Sequence, residues 1–250
     1  MSALSPDVRI FSDLEALSTA AASLFLDSCS QAIRSRGRAL VVLSGGNTPL
    51  ELYKLLARPP YADRVDWLHV HIFWGDERCV PPDDPESNYR QANDALLSWV
   101  PIPKDHIHRV HGEAEPQDAA LSYALMLRNY GSSPLSFPRF DLVLLGMGDD
   151  GHTASLFPGS PVNVTAPTAA VTANYQGRPA NRVTITPVLL NEARRLVFLV
   201  SGESKSRTLA NVLYGDSRPD LLPAQRIRPV DGELIWMVDR AAASLLPLQR

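Results

Sequence analysis

The chain has 250 residues, 45% of them hydrophobic and 20% charged, with a net charge of −3. That balance excludes wholesale disorder, leaves ample length for a large core, and, with no Lys/Arg-rich run, argues against a dedicated nucleic-acid surface. Two cysteines, Cys29 and Cys79, exclude a disulfide scaffold, and the longest apolar runs, such as Leu40–Leu43 and Leu142–Leu145, are far shorter than the ~20 residues of a membrane span. Charged residues at Asp7, Arg9, Asp13 and Glu15 leave no signal-peptide core, so the expectation is a soluble cytoplasmic protein with reduced thiols and no membrane partner.

Val8–Phe11 predicts a first strand. Ser12 with Glu15 has the spacing of a capping box, opening a helix that runs to Gly37. Residues 38–43 predict a buried strand, followed by Ser44-Gly45-Gly46-Asn47-Thr48-Pro49, in which Thr48 caps the next helix and Pro49 takes its first position. Trp67–Trp74 predicts a strand, 75–86 a Pro/Asp-rich loop, Asn88–Trp99 a helix capped by Ser87, and Pro116–Tyr130 another helix. Phe140–Leu145 is a strand feeding the Gly146–Gly151 turn. Strands at Arg182–Thr186, Arg195–Val200 and Leu234–Val238 follow, with helices at Pro187–Ala193, Ser204–Tyr214 and Arg240–Leu246. This alternation predicts an α/β fold, a mainly parallel sheet covered by helices on both faces, in a single domain over residues 1–250.

In such folds ligands bind beyond the carboxyl ends of the strands, so the loops after strands carry the chemistry. In the first, Ser44–Thr48, two glycines permit close backbone approach and a helix N-terminus offers N–H groups to an anion. No Gly-Lys-Ser/Thr ending makes it a P-loop. In the second, Asp76, Glu77 and Arg78 follow a buried strand directly; Arg78 suits bidentate phosphate binding, although a solvated ion pair also accounts for the three charges. The third, 146–159, formally contains G-x-G-x-x-G, but no Asp or Glu follows between Gly151 and Asn191 to bind a ribose, which sets a dinucleotide aside. What remains is His152, a natural general base, with Asp150 two residues before it to fix its tautomer. The acid-free stretch beyond it carries Arg178 and Arg182, attractive to an anionic substrate, and Lys205 follows a later strand as a further phosphate candidate. His106, His108 and His111 lack the acid or thiol partners of a metal site and fit a polar edge strand at Ile107–Val110; His69 and His71 share a face of the third strand and pack or cap.

The motifs SGGNTP (44–49), WGDER (74–78), SNY (87–89) and GMGDDGHTASLFPG (146–159), continued by RVTIT (182–186) and GESK (202–205), together resemble the glucosamine-6-phosphate isomerase/6-phosphogluconolactonase family over nearly the whole chain. The resemblance implies a Rossmann-like three-layer sandwich and hydrolysis of 6-phospho-D-glucono-1,5-lactone, a step of the oxidative pentose phosphate pathway, without cofactor or metal. It implies His152 as base oriented by Asp150, Asp76 as an orienting carboxylate, and Ser44, Gly45, Gly46, Asn47, Thr48, Arg78, Arg182 and Lys205 as phosphate and substrate ligands. The deaminase branch of the family carries a Glu five residues after the motif histidine; here that position is Phe157, which speaks against ring-opening chemistry. A sugar-phosphate sensor that regulates transcription would need a DNA-binding module, and the chain begins directly with the α/β pattern. The expected partner is therefore a small sugar-phosphate lactone, bound by a monomer or homodimer.

Overall fold

The computed structural model describes residues 6–131 and 135–247. In chain order the strands and helices are β1 (Asp7–Phe11), α1 (Leu14–Arg36), β2 (Ala39–Leu43), α2 (Asn47–Leu56), α3 (Tyr61–Arg64), β3 (Val70–Trp74), β4 (Asp76–Arg78), α4 (Asn88–Ala95) and β5 (Ile107–His108). There follow α5 (Pro116–Arg128), β6 (Leu142–Leu145), β7 (Thr168–Thr172), β8 (Asn181–Ile185), α6 (Pro187–Leu190), β9 (Arg195–Val200), α7 (Ser206–Tyr214) and β10 (Glu233–Asp239).

Seven strands form one parallel sheet in the order β1-β10-β9-β6-β2-β3-β5. Its central strands are continuous apolar runs because both faces are covered, and every residue of Ala39–Leu43 and Leu142–Leu145 is buried. Alternate side chains separate into two cores. Val41, Leu43, Ile72 and Leu144 face α1, α2 and α4, where Leu17, Ala21, Phe25 and Leu52 pack on them. Leu40, Val42, Phe73 and Leu145 face the opposite layer, against Tyr123, Leu127, Leu189 and Leu209. The period-two split of each strand thus builds a three-layer sandwich.

A second, antiparallel sheet orders β4-β8-β7. The chain leaves β3 at Gly75, whose carbonyl accepts from the Ile185 N–H at 2.7 Å, and enters β4 at once. The sequence predicts a loop here, since Asp, Glu and Arg are poor strand formers; pairing with β8 overrides that preference. β7 carries no turn signal or long apolar run and has no counterpart among the predicted elements.

Several helix ends differ from expectation. Asp13, not Ser12, caps α1: its Oδ1 accepts from the Ala16 N–H at 2.8 Å, and the Ser12 hydroxyl donates to Asp13 instead. α2 starts at Asn47 after Gly46, whose φ of 106° is open to glycine, so Thr48 and Pro49 lie inside the first turn and no side chain caps it. Trp67–His69 is a 3-10 turn ahead of β3, and the helix at Asn88 gives way to a 3-10 turn at Leu97–Trp99. Residues 240–246 form turns rather than a closing helix, although Asp239 Oδ1 accepts from the Ala242 N–H at 2.7 Å as a helix cap would.

Candidate active site

The strands β9, β6, β2 and β3 lie side by side, and their carboxyl ends open into Ser201, Gly146, Ser44 and Gly75 respectively. The chain runs from β2 to β3 on one side and returns to β6 on the other, so the order reverses at β2, where a crevice must form. There lies a cleft of about 330 Å³. Ser44, Gly45, Gly46, Asn47, Thr48, Asp76, Arg78, His152, Arg182 and Lys205 all line it. Asp150 stands behind His152 rather than in the wall.

The β2–α2 turn forms the floor. The Ser44 carbonyl accepts from the Tyr53 hydroxyl at 2.7 Å, and the Ser44 N–H donates to the same oxygen at 3.0 Å, which pins the turn to α2. A Cβ on Gly45 would sit 1.9 Å from Asn88 Oδ1, so only glycine lets α4 approach. The first amides of α2 have no intrahelical partner, and Asn47 and Thr48 line the cleft.

β4 and β8 supply a cationic wall. Their register sets Arg78 opposite Arg182 and Asp76 opposite Thr184. Arg182 is 3% exposed, yet its Nε and Nη2 have no hydrogen-bond partner, and Arg78 Nε is in the same state. Buried, unpaired guanidinium N–H groups are costly, a cost that a bound anion would relieve. Burial pulls the Arg182 guanidinium below its ordinary value; Arg78 and Arg178 nearby act in the same direction, and Asp76 opposes them. The Phe157 ring lies 5.3 Å beneath Arg182 as a cation–π face.

Glu77 points away from the cleft and into the protein. It accepts from the N–H groups of Arg78 (2.8 Å), Asn88 (2.7 Å) and Tyr89 (2.8 Å) and from the Ser87 hydroxyl (3.0 Å). Burial pushes this carboxyl up, against the pull of those four donors. The contact joins β4 to the N-terminus of α4 and fixes Asn88, whose Nδ2 donates to the Asp76 carbonyl at 2.9 Å and to Asp76 Oδ1 at 3.3 Å. Asp76 Oδ2 accepts from the buried Ser155 hydroxyl at 2.6 Å.

Opposite the arginines, His152 Nδ1 donates to Asp150 Oδ1 at 2.6 Å. That bond leaves Nε2 as the ring's free nitrogen. Asp150 also accepts from the His152 N–H at 3.1 Å; burial opposes its ionisation, but the His152 contacts prevail and hold it below the usual carboxylate range. The imidazole packs against Phe157 at 4.6 Å and Tyr175 at 4.6 Å, edge-on to the latter, and those two rings touch each other at 5.7 Å on the same flank. Lys205, at the close of the β9 turn, is paired with Asp149 at 2.7 Å, and Ser204 donates to the same oxygen at 3.1 Å. Tyr175 and Asp149 are site residues that the sequence does not single out: Tyr175 sits in a segment with no motif, and Asp149 looks like a spare acid of the glycine loop. Among the described residues, no group of three or more His, Cys, Asp or Glu side chains is gathered to hold a metal ion. His71 of β3 stacks instead on His106, in the 3-10 turn before β5, at 3.8 Å, and neither lines the cleft.

Comparison with known proteins agrees with this geometry. Residues 12–236 match the model of the glucosamine-6-phosphate isomerase/6-phosphogluconolactonase family. A 6-phosphogluconolactonase of Synechocystis sp. is 40% identical over 97% of this chain and 99% of its own length. One from Haemophilus influenzae is 39% identical over 82% of this chain and 87% of its own. The solved structure of a 6-phosphogluconolactonase from Thermotoga maritima superposes with a TM-score of 0.82 at 28% identity, covering 94% of this chain and 99% of that one.

Proposed function

The chain belongs to the glucosamine-6-phosphate isomerase/6-phosphogluconolactonase family, and from that premise we propose that it hydrolyses 6-phospho-D-glucono-1,5-lactone to 6-phospho-D-gluconate with His152 as general base. The observation that carries the assignment of the base is the Asp150–His152 pair, 2.6 Å long and facing a wall of buried arginine.

The lactone is already an activated cyclic ester, so positioning and proton transfer suffice. The phosphate is anchored by Arg78 and Arg182, with Lys205 and the 44–48 turn closing around it, which turns remote binding energy into placement of the carbonyl. Asp76, itself held by Ser155 and Asn88, orients the sugar. His152 Nε2 takes a proton as a water oxygen bonds to the lactone carbon. The tetrahedral oxyanion then collapses, the bond from that carbon to the ring oxygen breaks, and Nε2 returns the proton to that oxygen. The Gly148 N–H already donates to the His152 carbonyl at 2.9 Å, the Ser44 N–H to Tyr53 at 3.0 Å and the Gly46 N–H to Gln91 Oε1 at 3.5 Å, so among these glycine-loop amides the oxyanion falls to that of Gly45. No step calls for a cofactor or a metal. With phosphorylated sugars as substrate and product, the reading places the enzyme in the cytoplasm.

Phe157 gives this reading its edge over deamination. It packs on His152 where a ring-opening enzyme of the family carries a carboxylate, so the base faces an apolar ring. The test is hydrolysis of the lactone generated in situ, with the product trapped by 6-phosphogluconate dehydrogenase and the spontaneous rate subtracted. His152→Ala should lower kcat by about 10²–10⁴-fold with a small change in KM. A loss confined to KM would refute the base.

A further inference from the structure

The β7–β8 connection, residues 173–180, has a tight turn at its tip. The Arg178 N–H donates to the Tyr175 carbonyl at 3.0 Å across Gln176 and Gly177, both left-handed at φ 51° and 68°. That geometry places Tyr175 and Arg178 together at the turn's base, and both reach the cleft. Tyr175 meets His152, while Arg178 lies on the arginine side and contributes to the field felt by Arg182.

Arg178 is not free. Its Nη1 is 3.5 Å from Glu86 Oε2, and Arg78 Nη1 is 3.7 Å from the same oxygen. Glu86 Oε2 is buried between the two guanidiniums and accepts no hydrogen bond from either. Arg78 bonds the Glu86 carbonyl instead, so the backbone holds the residue in place while its carboxylate is only loosely paired. One carboxylate shared at 3.5–3.7 Å is a poorer partner for two forks than a phosphate, whose oxygens accept several charge-assisted bonds at about 2.7–2.9 Å.

We infer that Arg178 is a specificity-determining residue that selects the phosphorylated lactone, and that Glu86 is a resident counter-anion which yields Arg178 to the incoming phosphate. This deepens the hydrolase reading and rests on it for the identity of the substrate. Glu86 screens the arginines while the cleft is empty, and a neutral or unphosphorylated sugar ester cannot displace it. The third guanidinium is thereby reserved for a ligand with a dianionic end.

The test combines kinetics and binding on the full chain. Arg178→Gln should raise KM for 6-phosphogluconolactone by about 10–30-fold with kcat changed by less than about 3-fold. The preference for that lactone over unphosphorylated glucono-1,5-lactone should narrow by the same factor, and Arg178→Lys should restore part of it. Glu86→Gln keeps the backbone contact to Arg78 and should tighten 6-phosphogluconate, measured by calorimetry, about 3–10-fold. The inference is overturned if Arg178→Gln slows both lactones equally, if it leaves the preference unchanged, or if Glu86→Gln weakens 6-phosphogluconate. A wild-type protein that binds 6-phosphogluconate through Arg178 but hydrolyses neither lactone would refute the hydrolase reading and uphold this one.

Discussion

Replacement of Gly148 by alanine tests the proposed Asp150–His152 catalytic pair without removing either of its members. An alanine Cβ would lie 2.1 Å from His152 Nδ1, 2.3 Å from His152 Cε1 and 2.7 Å from Asp150 Oδ1. Relaxed contacts between such atoms lie at about 3.5 Å, so the imidazole must retreat by more than about 1 Å. The backbone at Gly148 is outside the left-handed region, so no conformational penalty is added. The ring cannot retreat by that much and keep its 2.6 Å bond to Asp150 and its contacts with Phe157 and Tyr175. A misplacement of ~1 Å in a catalytic group costs roughly 10²-fold, and that is the expected loss in kcat. Overpacking adds a destabilisation of about 1–3 kcal/mol, or roughly 2–12 °C in Tm, which leaves the protein folded at 25 °C. Coupled lactone hydrolysis gives kcat and KM, and the Nδ1 proton of His152 observed by NMR reports the pair directly. The same methyl at Gly146 meets nothing within 4 Å and should leave that proton signal in place. A folded Gly148→Ala protein with kcat within about threefold of wild type would refute the claim that the Asp150–His152 geometry carries the rate.

Three further outcomes are expected. Arg78→Ala should raise KM for the phosphorylated lactone by about 10–100-fold, with kcat affected less; an unchanged KM would remove Arg78 from the anchor. Glu77→Gln turns an NH2 donor toward N–H and O–H donors at the start of α4, and should cost about 2–3 kcal/mol, read as a fall of roughly 4–12 °C in Tm; an unaltered Tm would contradict the assigned role. Burial, with the neighbouring histidines, holds His71 and His108 down at about 4, and Arg38, Asp105 and His106 face the same cluster. The unfolded chain protonates these two from about 6.5 downward and the folded chain only near 4, so stability should be full above about pH 6.5 and fall as pH drops toward 4. Urea unfolding at pH 7 and 5 measures this, and a double His71→Phe, His108→Phe variant should show a shallower dependence.

The sheet was legible because its strands are buried on both faces and so read as unbroken apolar runs, as in Leu142–Leu145. The site was legible because its three loops follow such strands directly. What escaped was whatever depends on pairing rather than on composition. Asp76–Arg78 reads as a charged loop until β8 lies beside it, and Thr168–Thr172 gives no strand signal of its own until β8 pairs with it and α5 packs on it, with Thr168 donating to the Ala120 carbonyl at 2.8 Å. The same blindness affects the site. His152 and Asp150 are neighbours in sequence and so declare themselves. Glu86 and Arg178 stand 3.5 Å apart from opposite ends of two loops, and no local pattern couples them. At the start of α1, Ser12 and Asp13 are both competent caps, and only the bond to Ala16 separates them.

The pairing of β1 with β10 also sets the order in which the molecule can be completed. Val8 lies beside Trp236, at the far end of the chain, and β10 is the partner that β1 pairs with. At ~5–20 residues per second of synthesis, the first strand waits roughly 10–45 s before its neighbour emerges. Throughout that wait it is an unpaired edge, the kind of segment that invites association with other chains. Its composition suits the delay: Asp7 and Arg9 pair with each other at 2.8 Å, and most of its side chains remain at least partly exposed even in the finished fold. A chain stalled or truncated before Glu233 would therefore carry a finished cleft floor and an open sheet margin, a species more exposed to aggregation than to loss of binding.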